Sequence, residues 1–469
     1  MIKYILSIVS VTSLILVVGL LLTNSESSNI KFIQDQEFKA ATGYQLVEKE
    51  LVLTNNNSDF LINGEVVPEE IRIKPNTTLE ITVVNDSDYS TSVHFHGING
   101  DSNMDGVAGI SQDSIEPGSS FTYKFNIADS GTYMYHAHVD SVNQVNNSNL
   151  YGGLVVEEET KENSDMLMFN AKILDQNQHH TANQYYTEAL VNGKFNDSLQ
   201  IDSDENIYLN IVNMASAPLS INFGKDINYR VTSVDANPTT SDIITNKSLI
   251  VPTAQRLIVE IENPKHSFQV STSLKTKENA TYNVYYKDDK EIVSQDFSGS
   301  LTGGMMSNTE FSNLDDNSIL IYDLVESTEN LGLKDKKPDV NVNMELEMNG
   351  GYWTINDQAF PDAQSIDVKE GDVVEVTLSN NSHMAETHPF HLHGHQFEVV
   401  ETNGQKLDKS LILDTVDVEP GNEVVIRFVA DNPGIWAFHC HNLIHAGLGM
   451  MTTLNYQGYE SNISEQVTE

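Results

Sequence analysis

Two stretches of the chain repeat one pattern, and this pattern decides the fold. Residues 115–118 read Ile-Glu-Pro-Gly and residues 131–138 read Gly-Thr-Tyr-Met-Tyr-His-Ala-His; residues 418–421 read Val-Glu-Pro-Gly and residues 434–441 read Gly-Ile-Trp-Ala-Phe-His-Cys-His. The spacing from the proline to the next glycine and to the first histidine is the same in both copies. Upstream of each copy lies a second match, His94-Phe-His96-Gly against His391-Leu-His393-Gly. Such a repeat indicates two related domains.

The rest of the chain after residue 30 reads as short alternating strands broken by Gly, Pro, Asn and Asp turns, as in residues 71–84 and 373–378. Long amphipathic helical patterns are nearly absent, so the class is all-β. A weaker third copy begins at residues 191–193 and contains no His-x-His pair. We therefore predict three related β-sandwich domains over residues 31–160, 161–325 and 326–469, with no metal ligands in the second.

The N-terminal residues 1–30 carry an export signal. Lys3 is followed by residues 4–22 without a charge and then by a polar stretch. The apolar run is also long enough to span a bilayer, so a cleaved signal peptide and an uncleaved membrane anchor both stay open. We expect an exported protein that is extracellular, at the cell surface or periplasmic.

Charge and cysteine content narrow the partners. The chain has 67 Asp+Glu against 26 Lys+Arg, a net charge of −41. Such a surface repels nucleic acid, which excludes it as a partner, and attracts cations, although solubility alone also explains the charge. The single cysteine, Cys440, rules out an internal disulfide. It lies between two histidines, which favours a chemical use of the thiol.

Ten of the fifteen histidines fall in four short clusters. Residues i and i+2 of a strand point to the same face, so each His-x-His pair delivers two imidazoles to one side of a sheet. Eight imidazoles in one place indicate several metal ions rather than one. The clusters are His94/His96, His136/His138, His388/His391/His393 and His439/His441/His445.

The last cluster indicates which metal. Cys440, His445, Met450 and the more distant His388 form a His₂Cys set with an axial methionine, which is typical of blue-copper electron transfer. A zinc site would have no use for the weak thioether. In the first copy of the repeat Ala137 replaces the cysteine, so that domain has no blue site of its own.

These motifs resemble those of the three-domain multicopper oxidases, which include laccases, copper-efflux oxidases and spore-coat laccases of bacteria. The resemblance covers nearly everything after residue 45 and implies cupredoxin-like Greek-key β-sandwich domains and four copper ions. It implies the following ligands: type 1 copper, His388, Cys440, His445 and weakly Met450; type 2 copper, His94 and His391; the type 3 pair, His96, His136, His138, His393, His439 and His441.

The resemblance also gives Asp105 a catalytic role beside the type 2 copper, where relatives use an acid to orient water and pass protons. The alternative is a turn residue in the Asp-Gly pair at 105–106. One departure stands out. Many bacterial relatives carry a glutamate directly after the blue-site histidine, and here that residue is Ala446. Protons must then come through Asp105 and water, or from an acid elsewhere in the chain.

The function implied by the resemblance is the one-electron oxidation of a small reducing substrate at the type 1 copper, coupled to the reduction of dioxygen to water at the three-copper cluster. We expect a monomer. An exposed edge of His445 would receive the electrons, and the acidic balance favours Cu(I), Fe(II) or Mn(II) over anionic phenols.

Two other functions compete with this one. A copper nitrite reductase has no type 3 pair, so the histidine pairs at 136–138 and 439–441 argue against it. A copper-sequestering protein at the cell surface would hold the metal without turnover and would consume no oxygen.

Overall fold

The computed structural model describes residues 38–463, with gaps at 57–58, 159–160, 162–163, 174–185, 203, 274–279, 288, 290–291, 293–316, 383–385 and 460–462. The predicted export segment lies outside the described residues. No helix within the described part is both long and apolar enough to cross a membrane.

The first pair of sheets is built from eight strands. One sheet has the order β2-β1-β4-β6 and the other the order β3-β8-β7-β5. The strands are β1 (Gln45–Asn56), β2 (Asp59–Ile62), β3 (Glu70–Ile73), β4 (Thr77–Asn85), β5 (Val93–His96), β6 (Ser119–Ile127), β7 (Gly131–Ala137) and β8 (Tyr151–Val156).

The second pair of sheets follows in the sequence. Its larger sheet has the order β10-β9-β12-β18-β14-β15-β22 with β16 beside β14, and its smaller sheet the order β11-β20-β19-β13-β17-β21. The strands are β9 (Ser164–Ile173), β10 (Tyr186–Val191), β11 (Asn196–Ile201), β12 (Ile207–Asn213), β13 (Leu219–Asn222), β14 (Asn228–Val234), β15 (Asn237–Thr240), β16 (Ile244–Thr245), β17 (Ser248–Val251), β18 (Arg256–Ile261), β19 (Phe268–Ser273), β20 (Thr281–Tyr286), β21 (Ser318–Leu320) and β22 (Glu326–Ser327).

The third pair of sheets has the orders β24-β23-β26-β32-β28-β29, with β30 beside β28, and β25-β34-β33-β27-β31. The strands are β23 (Val340–Asn349), β24 (Tyr352–Ile355), β25 (Ile366–Val368), β26 (Val373–Asn380), β27 (His388–Leu392), β28 (Phe397–Thr402), β29 (Gln405–Lys406), β30 (Ile412–Leu413), β31 (Thr415–Val418), β32 (Glu423–Val429), β33 (Ile435–Cys440) and β34 (Met451–Tyr456).

Helical structure among the described residues is short and lies in connections. It comprises a 3₁₀ turn (Ser102–Met104), a π-helix (Val142–Asn147), α1 (Ile321–Leu324) and α2 (Leu443–Gly447). Asn442 caps α2 by accepting a hydrogen bond from the backbone N–H of Ile444. This cap fixes the turn that carries His445.

The predicted all-β class of sandwich domains is confirmed. The domain bounds stay a prediction, and the middle sheet takes in β22, which lies just past the predicted bound at residue 325. Strand β4 alternates buried and half-buried residues, as a strand with one covered face does. In contrast, every residue of β5, β7 and β27 is buried. Both faces of these strands are covered, and the strands carry His94, His96, His136 and His391.

Candidate metal centre

Eight of the predicted histidines meet at one place, between the first and the third pair of sheets. The strand register places His94 opposite His136 in β5 and β7, and His391 opposite His439 in β27 and β33. The same register in both pairs confirms the sequence repeat at the level of single residues. We call this group the histidine cluster: His94, His96, His136, His138, His391, His393, His439 and His441.

Six members of the histidine cluster form two groups of three. In one group the Nε2 atom of His439 lies 2.9 Å from Nε2 of His393 and 3.4 Å from Nε2 of His138. In the other group Nε2 of His441 lies 3.3 Å from Nε2 of His136, and the ring of His96 lies 5.2 Å from that of His441. Ring nitrogens that face one another in this way have the arrangement of ligands that bind one metal ion.

Backbone carbonyls orient four of these eight rings. The Nδ1–H group of His94 donates to the carbonyl of Asp105 at 2.7 Å, and that of His391 to the carbonyl of Asp414 at 2.9 Å. The Nε2 atoms of both histidines are buried and have no hydrogen-bond partner among the described residues. A donated Nδ1–H fixes the tautomer that leaves Nε2 free for a metal. These two atoms therefore suit the predicted type 2 copper.

His96 is turned the other way. Its Nε2 atom lies 3.2 Å from Oδ1 of Asp414, whereas its Nδ1 atom is buried and has no hydrogen-bond partner in the described chain. The carboxylate thus selects the tautomer with Nε2–H and leaves Nδ1 for a metal.

Asp105 lies against two members of the cluster. Its Oδ2 atom is 2.9 Å from Nδ1 of His393, and its Oδ1 atom is 3.2 Å from Nδ1 of His94. Burial opposes ionisation, but the contacts with these two imidazoles outweigh it and hold the pKa of Asp105 well below its usual range. The reading as an ordinary turn residue therefore does not account for its position.

The second site contains the only cysteine, and we call it the cysteine site: His388, Cys440 and His445. The Sγ atom of Cys440 lies 3.7 Å from Nδ1 of His388 and 3.5 Å from Nδ1 of His445. Met450 is buried in the same hydrophobic core as Cys440. The indole of Trp353 stacks on the His445 ring with centroids 3.9 Å apart.

The prediction that one edge of His445 is exposed is wrong, because both His388 and His445 have 0% of their surface exposed. Trp353 covers one side of the imidazole. On the other, Nε2 of His445 donates to Oε2 of Glu386 at 2.7 Å. The Glu386 side chain is 13% exposed. The Glu386 side chain, rather than the imidazole, is therefore the part of this set that is partly exposed, although its Oε1 atom is buried.

The protonation of these groups fits a soft transition metal. Burial lowers the pKa of His393 to about 4 and the pKa of His439 and His445 to about 3, so these three rings are neutral and can act as ligands. Burial raises the pKa of the Cys440 thiol, so metal binding at the cysteine site must release its proton. Imidazole nitrogens together with a thiolate and a thioether sulfur are donors that suit copper.

Sequence reasoning missed three residues of the site. Asp414 and Glu386 contact predicted ligands, and Trp353 packs on one. Glu386 lies two residues before His388, which was a usable signal. Asp414 lies 21 residues after His393, and nothing in its sequence surroundings indicates the contact. His395 lies outside the four clusters; it is buried, with Nδ1 3.0 Å from the His393 carbonyl and Nε2 2.6 Å from the Tyr456 hydroxyl.

The chain matches known proteins along most of its length. Multicopper oxidase family models match residues 47–161 and 334–458, together just over half of the chain. An iron transport multicopper oxidase FET3 of Kluyveromyces lactis is 26% identical over 87% of this chain and 74% of its own length. A multicopper oxidase mco of Staphylococcus epidermidis is 28% identical over 85% of this chain and 84% of its own.

Solved structures share the fold. The crystal structure of Fet3p, a multicopper oxidase that functions in iron import, superposes with a TM-score of 0.72 at 21% identity, covering 88% of this chain and 91% of that one. A metallo-oxidase from Campylobacter jejuni gives 0.67 at 22% identity, covering 90% and 93%.

Fold, site and family models define a copper-dependent oxidoreductase. The chain belongs to the multicopper oxidase family. It oxidises a reducing substrate with dioxygen as the electron acceptor. A protein that only sequesters copper would consume no oxygen.

Proposed function

We propose that the chain binds four coppers, with the type 1 ion held by His388, Cys440, His445 and weakly Met450. The observation that carries the proposal is the convergence of the buried histidine cluster beside one buried His₂Cys set. The type 2 ion would take His94 and His391. The type 3 pair would take the two groups of three, His96/His136/His441 and His138/His393/His439.

When bound at these residues, copper would supply the one-electron chemistry that couples substrate oxidation to the four-electron reduction of dioxygen to water. The chain supplies the connection between the two sites. Cys440 is flanked in sequence by His439 and His441, and the Nδ1–H group of His439 donates to the carbonyl of Cys440 at 2.9 Å. This hydrogen bond adds a second connection to the covalent path along the backbone.

Acidic side chains supply orientation and protons. Asp105 orients His94 and His393 and, on this proposal, passes protons to the oxygen site through water. Its contacts with the two imidazoles keep it ionised, so its oxygens can accept hydrogen bonds from water at this place. Asp414 is a second buried acid at the histidine cluster, in a chain that has Ala446 where many bacterial relatives carry a glutamate.

The electron donor in this proposal is a metal cation, Fe(II), Cu(I) or Mn(II), ahead of a phenol. The partly exposed Glu386 side chain carries a carboxylate that is hydrogen-bonded to His445, and carboxylates bind hard divalent cations such as Fe(II) and Mn(II). The net charge of −41 concentrates cations at the surface. The relative FET3 is named an iron transport multicopper oxidase, and this name supports a metal cation as the electron donor.

We further propose that the protein is exported and acts as a monomer at the cell surface, in the periplasm or outside the cell. The support is the charge-free run of residues 4–22. It serves either as a cleaved signal or as a membrane anchor.

Replacing Cys440 with serine tests the four-copper proposal. The variant should lose the blue absorption band and substrate turnover while keeping three coppers, because the histidine cluster does not use the thiol. Metal analysis, absorption spectra and oxygen uptake measure this directly. One copper per wild-type chain, or zinc in place of copper, would falsify the proposal.

A further inference from the structure

The middle sheets carry none of the twelve proposed ligands, yet one of their side chains reaches the histidine cluster. Arg256 begins β18, and Asp235 lies in the turn between β14 and β15. Both have 0% of their surface exposed. A fully buried arginine needs partners for its charge and its N–H groups.

The partners of Arg256 lie on two different sheets. Its Nη1 atom donates to Oδ1 of Asp235 at 2.9 Å and to Oδ1 of Asp414 at 2.7 Å, and its Nη2 atom donates to the other oxygen of Asp414. The remaining oxygen of Asp235 accepts the backbone N–H of Asp414 at 3.2 Å. The middle sheets therefore hold both the side chain and the backbone of Asp414.

Asp414 in turn touches two proposed copper ligands. Its carboxylate lies 3.2 Å from Nε2 of His96, and its carbonyl accepts the Nδ1–H of His391. These contacts leave Nδ1 of His96 and Nε2 of His391 as the ligand atoms, and both are buried without a hydrogen-bond partner among the described residues.

We propose that Arg256, together with Asp235, is a positioning residue of the histidine cluster. Through Asp414 it fixes the ring orientation and tautomer of His96 and His391, so the middle sheets shape a site to which they contribute no ligand. This inference rests on the proposed four-copper function.

Gly97 supports the assignment from the opposite side. It follows His96 directly and has a φ of +87°. A Cβ atom there would lie 2.5 Å from Nη2 of Arg256 and 3.1 Å from Oδ2 of Asp414. The glycine of the His94-Phe-His96-Gly motif thus leaves room for the guanidinium beside the cluster.

The test compares Arg256→Lys with wild type. Lysine keeps the charge but cannot form the two-pronged contact with Asp414. The blue band of the cysteine site serves as an internal reference, since Arg256 does not touch it. We expect the blue band to be kept while copper affinity at the histidine cluster falls about 10- to 100-fold, as for lost outer partners of metal-bound histidines. Copper per chain and the type 2 EPR signal are the readouts.

Arg230→Lys is the matched control, because Arg230 lies in the same sheet and pairs with Glu260 in the same two-pronged way, away from the cluster. It should keep all coppers. Asp235→Asn is the milder second variant if Arg256→Lys does not fold, and it should show the same selective loss.

The outcomes separate the two proposals. If wild type holds four coppers and both cluster variants keep them with wild-type affinity and EPR, the inference about Arg256 is overturned, even if their melting temperatures fall. If wild type itself lacks the four coppers, it is the proposed function that fails.

Discussion

At the scale of single residues, Glu386 joins the buried His445 to the surface. Its carboxylate accepts the Nε2–H of His445, whose own surface is entirely covered. An electron from a bound cation can then reach the imidazole through one hydrogen bond. A phenol has no need of the carboxylate's charge, so the two classes of donor respond differently to its removal.

Glu386→Gln is therefore expected to lower kcat/KM for Fe(II) by roughly tenfold or more, about 1.4 kcal/mol in transition-state free energy, and to change that for dimethoxyphenol much less. Steady-state oxygen uptake with both substrates measures the ratio. The exposed Glu370→Gln removes the same charge elsewhere on the third pair of sheets and should leave the ratio unchanged. Equal losses on both substrates would show that Glu386 only maintains the site.

At the scale of elements, the edge strand β31 serves two purposes. Thr415 points to the histidine cluster, with Oγ1 3.2 Å from Nδ1 of His391, and it is paired with His391 across the sheet. Asp417 lies two residues on, is 5% exposed, and is paired with Pro389. Burial raises the pKa of this carboxyl to about 7. An ionisable group is thus built into the strand that supports the cluster.

The raised pKa makes stability depend on pH with a defined sign. The folded state keeps the Asp417 proton between about pH 4 and pH 7, where the unfolded state releases it, so this group makes the free energy of unfolding fall as pH rises through that window. Asp417→Asn removes the term. The difference in free energy of unfolding between the variant and wild type should therefore be more favourable to the variant at pH 8 than at pH 5, by on the order of 2 kcal/mol.

Urea unfolding at the two pH values measures this gain. The exposed Asp408→Asn is the control and should show no such difference. A gain for Asp417→Asn that is the same at both pH values would mean that the carboxyl is not buried in the way the structure shows.

At the scale of the whole molecule, charge and location of the sites act together. The net charge of −41 extends over a chain whose reacting groups are buried, so cations must be gathered at the surface before one binds. This attraction is screened by salt, since the Debye length falls from about 30 Å at 0.01 M to about 3 Å at 1 M.

Raising the salt concentration over that range should lower kcat/KM for Fe(II) several-fold and leave a neutral phenol almost unaffected. Stopped-flow reduction of the blue band at each salt concentration gives the rates without the oxygen step. If Fe(II) and the phenol respond alike, the surface charge serves solubility, the alternative that the composition left open.

The sequence alone predicted the all-β class and the meeting of the His-x-His pairs, whereas the domain bounds and the copper ligands stay predictions. It could do so because His-x-His pairs in strands and a glycine- and proline-bounded repeat are local patterns, and period-two geometry converts them directly into one face of a sheet. The tertiary structure was needed to show how six of the eight imidazoles divide into two groups of three, which ring nitrogen of His96 is free, and that His445 is covered.

Those outcomes depend on Asp414, Arg256, Trp353 and Glu386. Arg256 lies 158 positions from Asp414 and on a different pair of sheets, so their contact leaves no spacing in the sequence to detect. The contact forms because a buried charge requires a partner, and the packing of the sheets brings the two opposite charges together. Patterns along the chain specify strands and faces, whereas pairing between distant buried charges is settled only when the sheets pack.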